Sequence, residues 1–184
     1  GVAGKSAADA AAGLGADVIL MDINIERLSY LRDVMHPNVS MIYSTHDAIV
    51  TALKEADLII GTVLLPGERA PKLITRDMLG LIKKGSVLVD VSIDQGGCFE
   101  TSHPTTHSNP TFEVDGIVHY CVANMPGMYP RTSTIALTNA TLPYALKIAS
   151  TSLDELLEED ALKSALNTHR GNLTNDAVAK AFLR

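Results

Sequence analysis

Two glycines at the start of the chain have the spacing of a phosphate-binding turn. Gly1 and Gly4 match the second and third glycines of G-x-G-x-x-G, and an apolar run over 16–22 ends in Asp22, 21 positions after Gly1. Glycine lets the backbone approach a pyrophosphate, and an acid about 20 residues later binds ribose hydroxyls. The alternative is a helix that merely begins with glycine. The full spacing favours a dinucleotide, and Asp22 favours NAD because a carboxylate repels the 2′-phosphate of NADP.

Further polar side chains follow two apolar runs in the middle of the chain. Asp90 lies inside the run 86–92, and Asp94 lies just past the end of this run. Asp94 is either an Asx-turn residue or a carboxylate that orients a nicotinamide, pairs with a substrate ammonium or holds a water. Asn124 follows the run 117–123 and is either a turn cap or an amide that binds a carboxamide or ribose.

The histidines and cysteines give weaker signals. His103 and His107 lie in a Pro/Thr-rich loop without a carboxylate to complete a ligand set, so we interpret them as surface residues and predict no metal site. Cys98 lies near Asp94, but no base is adjacent, which favours a structural thiol over a reactive one. Cys98 and Cys121 also lack metal-ligand spacing. Two such thiols without a secretion signal favour the reducing cytoplasm.

Apolar runs alternate with helical periodicity along the first two thirds of the chain. The predicted strands are 16–22, 40–44, 57–65, 86–92 and 117–123, and the predicted helices between them are 24–35, 46–56 and 75–85. The pattern predicts an α/β fold with a doubly wound parallel sheet. Loops rich in Gly, Pro, Ser and Thr follow the strand ends at 62–72, 92–112 and 123–132. Ligands bind at this edge of such sheets, so these loops are the expected site.

The last third of the chain is predicted to be helical. No sheet pattern remains beyond about residue 124, and 132–149 forms one helical stretch that Pro143 should kink or interrupt. Two further helical stretches are 152–166 and 175–184. We therefore predict a nucleotide-binding domain over 1–130 and a helical remainder over 131–184.

Composition restricts the partners. The net charge is −6, and Lys83-Lys84 is the only adjacent basic pair, which argues against nucleic acid. No apolar run approaches the roughly 18 residues that a membrane span needs. The hydrophobic content of 46% is enough for a folded core.

The long loops carry a specific resemblance. The strings "ADLIIGTVLLPGERAPKLI", "GSVLVDVSIDQGGCFETSHPTTHSNPTF" and "HYCVANMPGMYPRTSTIALTNATLPY" closely resemble the L-alanine dehydrogenase family. The NAD-binding subunit of the proton-pumping transhydrogenase shares a looser version. The resemblance implies reversible, NAD-dependent oxidative deamination of L-alanine to pyruvate and ammonia. It also implies a Rossmann domain, C-terminal helices that belong to a substrate domain, and a cytoplasmic homo-oligomer, a hexamer in the family.

The resemblance assigns roles to individual residues. Asp94 would be the catalytic acid, and Asp22 would hold the adenosine ribose. The other implied cofactor-binding residues are Arg27 and Ser44 near the adenosine, Val63, Leu64 and Val91 in the cofactor cleft, and Asn124 and Met125 facing the nicotinamide.

The chain also departs from the family pattern. It lacks the strand before Gly1, the first fingerprint glycine and the N-terminal portion that supplies the family's catalytic His and its substrate-binding Lys and Arg. We therefore expect little or no activity from the 184 residues alone. Two alternatives stay open, namely a non-catalytic NAD-binding or assembly fragment and a transhydrogenase NAD-binding subunit.

Overall fold

A computed structural model describes residues 1–65 and 69–182 of the chain. The strands are β1 (Val18–Asp22), β2 (Val39–Tyr43), β3 (Leu58–Gly61), β4 (Val87–Asp90), β5 (Thr111–Val114), β6 (Ile117–Tyr120), β7 (Thr168–His169) and β8 (Asn172–Leu173). The α-helices are α1 (Val2–Gly13), α2 (Ile25–Val34), α3 (His46–Leu53), α4 (Pro130–Ser150), α5 (Leu153–Leu156), α6 (Asp160–Ala165) and α7 (Asp176–Phe182). Short 3₁₀ helices cover Arg76–Leu81, Ile93–Gln95 and Met125–Met128.

The described residues form two compact units. The first contains residues 1–64 and 70–123, and the second contains residues 65 and 69 with 124 onward. The predicted domain limits, 1–130 and 131–184, stay a prediction. No helix of the described residues has the length and hydropathy of a membrane span.

The first unit contains the predicted parallel strands in two groups. β1 pairs with β2 in parallel, and the second group has the order β3-β4-β6-β5, with β3, β4 and β6 parallel. β1 and β3 are not hydrogen-bonded to one another in the described structure, but α1 packs against both. The fold class is therefore α/β, as predicted, with the sheet divided between β1 and β3.

One strand, β5, was missed because its first two residues belong to the predicted loop 92–112. β5 pairs antiparallel with β6. The two strands are joined by Asp115 and Gly116, with φ of 54° and 86°. Asp-Gly with both residues at positive φ is a tight hairpin turn, so the Asp-Gly dipeptide was the available signal for this strand.

Two further local expectations were wrong. The predicted helix 75–85 is the 3₁₀ helix Arg76–Leu81, after which Ile82 is extended. Glycine inside this short segment, Gly80, lowers its helix propensity, and Gly85 at φ 86° closes the turn into β4. Likewise, β3 stops at Gly61, well before the predicted end at residue 65.

Packing in the first unit is organised around two apolar clusters. One lies between α1, α2 and β2 and contains Ala8, Ala12, Leu31, Met35 and Val39. The other surrounds β4 and contains Leu53, Ile74, Met78, Leu79, Ile82, Leu88, Cys98, Phe99 and Ile117. Cys98 and Phe99 of the loop that follows β4 belong to this second cluster, so this loop is packed into the core.

The second unit is mostly helical, as predicted. α4 runs without interruption through Pro143, so the predicted interruption was wrong, and the predicted kink stays a prediction. Proline removes one backbone hydrogen bond, but the helix continues to Ser150. The short antiparallel pair β7–β8 contradicts the absence of strands beyond residue 124. It is closed by Arg170 and Gly171 at φ 48° and 81°. The predicted stretch 175–184 contains α7, and its last two residues lie outside the described residues.

Candidate functional site

Gly1, which matches the second glycine of the fingerprint, lies next to the fingerprint acid Asp22. The nitrogen of Gly1 is 3.5 Å from Oδ2 of Asp22, whose side chain is 21% exposed. Asp22 ends β1, and its Oδ1 accepts a hydrogen bond of 2.9 Å from the backbone N–H of Asn24. The start of α1 and the end of β1 therefore meet at one point, as a dinucleotide site requires.

Gly4, which matches the third glycine of the fingerprint, lies against the end of β3. A Cβ atom added to Gly4 would be 2.8 Å from Oγ1 of Thr62, directly after β3. Glycine at this position therefore permits a close approach of helix and strand, which is the role of the third fingerprint glycine. Thr62 was not singled out from the sequence, because only the tertiary structure places it beside α1.

Arg27 and Ser44 are connected to Asp22 through the backbone. Ser44 donates its N–H to the carbonyl of Asp22 at 3.0 Å, since β1 and β2 end side by side. Asn24 caps α2 by accepting from the N–H of Arg27 at 2.8 Å. The Arg27 guanidinium lies 5.0 Å from the centre of the Tyr30 ring, in a cation–π contact. These polar groups lie in one region at the carboxyl ends of β1 and β2.

Val63 and Val91 follow the ends of the neighbouring strands β3 and β4. The N–H of Val91 donates to the carbonyl of Gly61 at 2.9 Å, and the hydroxyl of Ser92 donates to the carbonyl of Val63 at 2.7 Å. Leu64 is 66% exposed and Val91 36% exposed. The residues that follow β3 and β4 thus present apolar side chains to solvent at the carboxyl ends of these strands.

Asp90 ends β4 and is completely buried. Its Oδ1 accepts from the N–H of Ser92 at 3.0 Å. Its Oδ2 accepts from the N–H groups of Cys98 and Phe99 at 2.9 and 3.2 Å, and from the hydroxyl of Ser102 at 2.6 Å. A buried carboxylate requires such donors. Asp90 therefore connects the start of the loop after β4 to its end, a role that the sequence analysis did not assign.

Asp94 differs from Asp90 although only four positions separate them. It lies in the 3₁₀ helix Ile93–Gln95 and is exposed. Beside it, Oε1 of Gln95 is a buried oxygen without a hydrogen-bond partner among the described residues. Asp94 thus offers a carboxylate to solvent on a loop that Asp90 holds from the core.

The two cysteines are buried and free. Burial, followed by the nearby Asp90 carboxylate, raises the pKa of the Cys98 thiol to about 12. Burial likewise raises the pKa of Cys121. Since the thiolate is the nucleophile, both environments support the structural interpretation over the reactive one.

We expect both cysteines to resist alkylation in the native protein. With its pKa near 12, Cys98 is a thiolate in about one molecule in ten thousand at pH 8. Iodoacetamide followed by mass spectrometry should show no labelling of Cys98 in native protein within an hour, and labelling of both thiols in denaturant. Rapid native labelling of Cys98 would restore the reactive-thiol interpretation.

The rings of His103 and His119 each stack on the ring of Phe112. The ring centroids of His103 and Phe112 are 3.6 Å apart, and those of Phe112 and His119 are 4.9 Å apart. His119 is fully buried, and its ring nitrogens bond the Thr101 hydroxyl at 2.8 Å and the Ile117 carbonyl at 3.0 Å. The described residues contain no group of three metal-ligating side chains.

Burial lowers the pKa of His119; the hydrogen bond to the Ile117 carbonyl opposes this shift, His103 adds to it, and Asp90 opposes it more weakly. The folded state therefore keeps this imidazole neutral where the unfolded chain, with an ordinary pKa of about 6.5, takes up a proton. The free energy of unfolding should fall as pH is lowered from about 7.5 toward 5.5. Denaturant titrations should show this loss reduced in His119→Gln and retained in the exposed-site control His107→Gln. Equal pH dependence in both variants would contradict the assignment.

Asn124 and Met125 lie in the second unit. Asn124 has φ 52° and ψ 53°, a left-handed conformation that asparagine tolerates better than most residues. It precedes the 3₁₀ helix Met125–Met128, and the hydroxyl of Ser133 donates to the carbonyl of Pro126 at 2.8 Å. The contact of Asn124 and Met125 with a nicotinamide stays a prediction.

Comparison with known proteins identifies the family. A family model described as the C-terminal domain of alanine dehydrogenase/PNT matches residues 1–176. The chain belongs to this family. An alanine dehydrogenase of Halomonas elongata is 57% identical over 183 residues, which are 99% of this chain and 49% of that protein. Alanine dehydrogenase 2 of Staphylococcus aureus is 50% identical over 184 residues, with 99% and 50% coverage.

Solved structures agree with this membership of the alanine dehydrogenase/PNT family. A structure of L-alanine dehydrogenase matches with a TM-score of 0.85 and 51% identity, covering 100% of this chain and 51% of that chain. A transhydrogenase from Sinorhizobium meliloti matches with a TM-score of 0.72 and 25% identity, covering 96% and 48%. The chain spans about half the length of the curated relatives that it matches. The resemblance and the Rossmann fold are thereby confirmed.

The family's C-terminal domain binds NAD, in agreement with the predicted cofactor. Three residues of this chain, Gly1, Gly4 and Asp22, fit NAD. Gly4 lets α1 approach the end of β3, nothing in the described residues lies within 4 Å of the position where Gly1 would carry a Cβ, and the partly exposed carboxylate of Asp22 lies beside the start of α1. The start of α1 therefore offers open backbone for a pyrophosphate, and Asp22 offers an acceptor for ribose hydroxyls.

Proposed function

We propose that this chain forms the NAD-binding part of an alanine dehydrogenase, which converts L-alanine reversibly to pyruvate and ammonia. The observation that carries the proposal is the approach of Gly1 to Asp22 in a chain 57% identical to an alanine dehydrogenase. The fingerprint supports NAD, and the relatives support the substrate.

The cofactor-binding residues divide by the part of NAD that each contacts. Asp22 accepts hydrogen bonds from the adenosine ribose, and Arg27 and Ser44 lie beside the adenosine. The N-terminus of α1, with Gly1 and Gly4, faces the pyrophosphate with free N–H groups and the positive end of the helix dipole. Val63, Leu64 and Val91 line the cleft, and Asn124 and Met125 face the nicotinamide.

The chemistry of the chain itself centres on Asp94. Bound NAD supplies the acceptor for the hydride that leaves Cα of alanine. Water must then add to the resulting imine, and Asp94 takes up and returns the proton of that water as a general acid and base. Its exposure at the strand edge makes it accessible to substrate, and the anchoring of its loop by Asp90 keeps the carboxylate at a defined position.

The direct test is NADH formation from L-alanine and NAD by the intact protein at alkaline pH, together with NADH consumption in the presence of pyruvate and ammonium. Turnover in both directions is the expected result. NAD binding without turnover would favour the non-catalytic NAD-binding or assembly function. Hydride exchange between NADH and an NADP analogue would favour the transhydrogenase function, to which the 25% identity gives weaker support.

We also propose a cytoplasmic homo-oligomer; the family resemblance implies a hexamer. The two buried free thiols favour a reducing compartment. Helix α4 has six apolar residues that are at least half exposed, which supports association of this helix with another polypeptide segment. They are Ile135, Leu137, Leu142, Tyr144, Leu146 and Ile148. The net charge of −6 supports the absence of a nucleic-acid partner. Light scattering after gel filtration measures the mass of the assembly, and a monomer would contradict the proposal.

A further inference from the structure

Lys72 makes an unusual set of hydrogen bonds for a surface lysine. Its Nζ donates to the backbone carbonyls of Gly96, Gly97 and Phe99 at 2.6, 2.7 and 3.1 Å. An ammonium group has three donors, so all of them are used on one short segment 24 to 27 positions away. Such charge-assisted bonds are stronger than neutral ones. Lys72 is therefore attached to the segment that follows Asp94.

The same segment is held from the core by a group of opposite charge. The loop Ser92–Phe99, which contains Asp94, donates three backbone N–H groups to buried Asp90. Lys72 binds carbonyls of this loop, and Asp90 binds its amides. Phe99 is held by both, its N–H by Asp90 and its carbonyl by Lys72.

The backbone of the loop shows which of its polar groups each charge binds; two further carbonyls, those of Gln95 and Cys98, accept from the N–H groups of Ala70 and Leu73. Gly96 and Gly97 have φ of 87° and 72°, so two successive residues are left-handed and form no regular hydrogen-bond ladder. A Cβ at Gly97 would be 2.8 Å from Oδ2 of Asp90, so the turn is pressed against the buried carboxylate. The amides of Gly96 and Gly97 donate within the loop, to the carbonyls of Ile93 and Ser92, whereas their own carbonyls accept from Lys72. Asp90 binds the amides on either side of the two glycines.

We propose that Lys72, together with Asp90, is a positioning residue that holds the Ser92–Phe99 loop so that Asp94 meets the substrate in a reactive geometry. The expected effect on kcat rests on the proposed function. The attachment of the Ser92–Phe99 loop to Lys72 does not depend on that function. A small displacement of a catalytic group has a large effect on rate, so loosening the loop lowers kcat more than cofactor binding.

The test compares three lysine variants in the intact protein. Lys72→Met keeps the aliphatic stem but removes the charge, and kcat for NADH formation should fall about tenfold while KM for NAD changes less than about twofold. Lys72→Arg keeps donors for carbonyls and should restore most of the rate. Lys83→Met is the matched control, because Lys83 also bonds a backbone carbonyl in the first unit, that of Glu55 at 2.7 Å. It should leave kcat unchanged.

A second measurement separates this inference from the proposed function. Hydrogen exchange at the amides of Ser92, Cys98 and Phe99 should be about tenfold faster in Lys72→Met and unchanged in Lys83→Met. Unchanged exchange in Lys72→Met, or a lower melting temperature with normal kcat, overturns the inference. If the wild-type protein makes no NADH, the proposed function fails, and faster exchange in Lys72→Met still supports the attachment of the loop to Lys72.

Discussion

Replacing Asp94 with asparagine is expected to lower kcat for L-alanine oxidation at least about 100-fold, with little change in KM for NAD. Asparagine has nearly the same shape but cannot take up the proton of the water that adds to the imine. Asp94 is exposed, so the substitution should leave the melting temperature within a few degrees of wild type. Steady-state kinetics with NAD and L-alanine, together with thermal unfolding, measure both effects.

The matched control is Asp77→Asn. Asp77 is also exposed and also lies in the first turn of a 3₁₀ helix of the first unit, Arg76–Leu81. It should retain wild-type kcat. Equal activity of the Asp94 and Asp77 variants would remove Asp94 from the reaction and favour its interpretation as a turn residue. A large loss in both would indicate a general effect of removing surface acids.

Replacing Asp22 with alanine is expected to raise KM for NAD about 30-fold with kcat nearly unchanged. Loss of charge-assisted bonds to the ribose corresponds to about 2 kcal/mol, and each 1.4 kcal/mol is about a factor of ten. The same change removes the carboxylate that repels a 2′-phosphate, so KM for NADP should fall relative to that for NAD. Kinetics with both cofactors measure this ratio directly.

Asp17 gives a matched control for Asp22, because the two acids lie at opposite ends of β1. Asp17→Ala should leave both KM values unchanged, since the amino end of a parallel strand lies away from the ligand edge. If Asp22→Ala binds NAD as tightly as the control does, the fingerprint interpretation is wrong. A shift in NAD affinity without any change in NADP preference would place Asp22 away from the 2′ position.

The parallel part of the fold could be predicted from the sequence because its signals are local. Apolar runs such as 86–92 are long enough to identify buried strands, and the helical periodicity over 24–35 identifies α2. The antiparallel strand β5 was missed because its first two residues belong to a predicted loop rich in turn residues. Its Asp115-Gly116 turn is a local signal, and weighing it would have revealed the hairpin.

The candidate site also has features that local sequence signals predict and features that only the tertiary structure shows. The spacing of Gly1, Gly4 and Asp22 is a property of one continuous segment, so the sequence alone determined the cofactor class. The spacing does not reveal which partners surround each residue. Thr62 meets Gly4, and Lys72 meets the Ser92–Phe99 loop, only because strands distant in sequence end at one edge of the sheet.

Asp90 and Asp94 show the physical reason for this limit. Both are aspartates at the end of one apolar run, and their chemical difference arises from burial and from donors up to 12 positions away. The fold places Asp90 in the core with N–H and hydroxyl partners, and leaves Asp94 at the surface. The resemblance of the long loops therefore indicated the family, and the spacing of Gly1, Gly4 and Asp22 indicated the cofactor. The solvation and partners that distinguish an anchoring carboxylate from an accessible one came only from the tertiary structure.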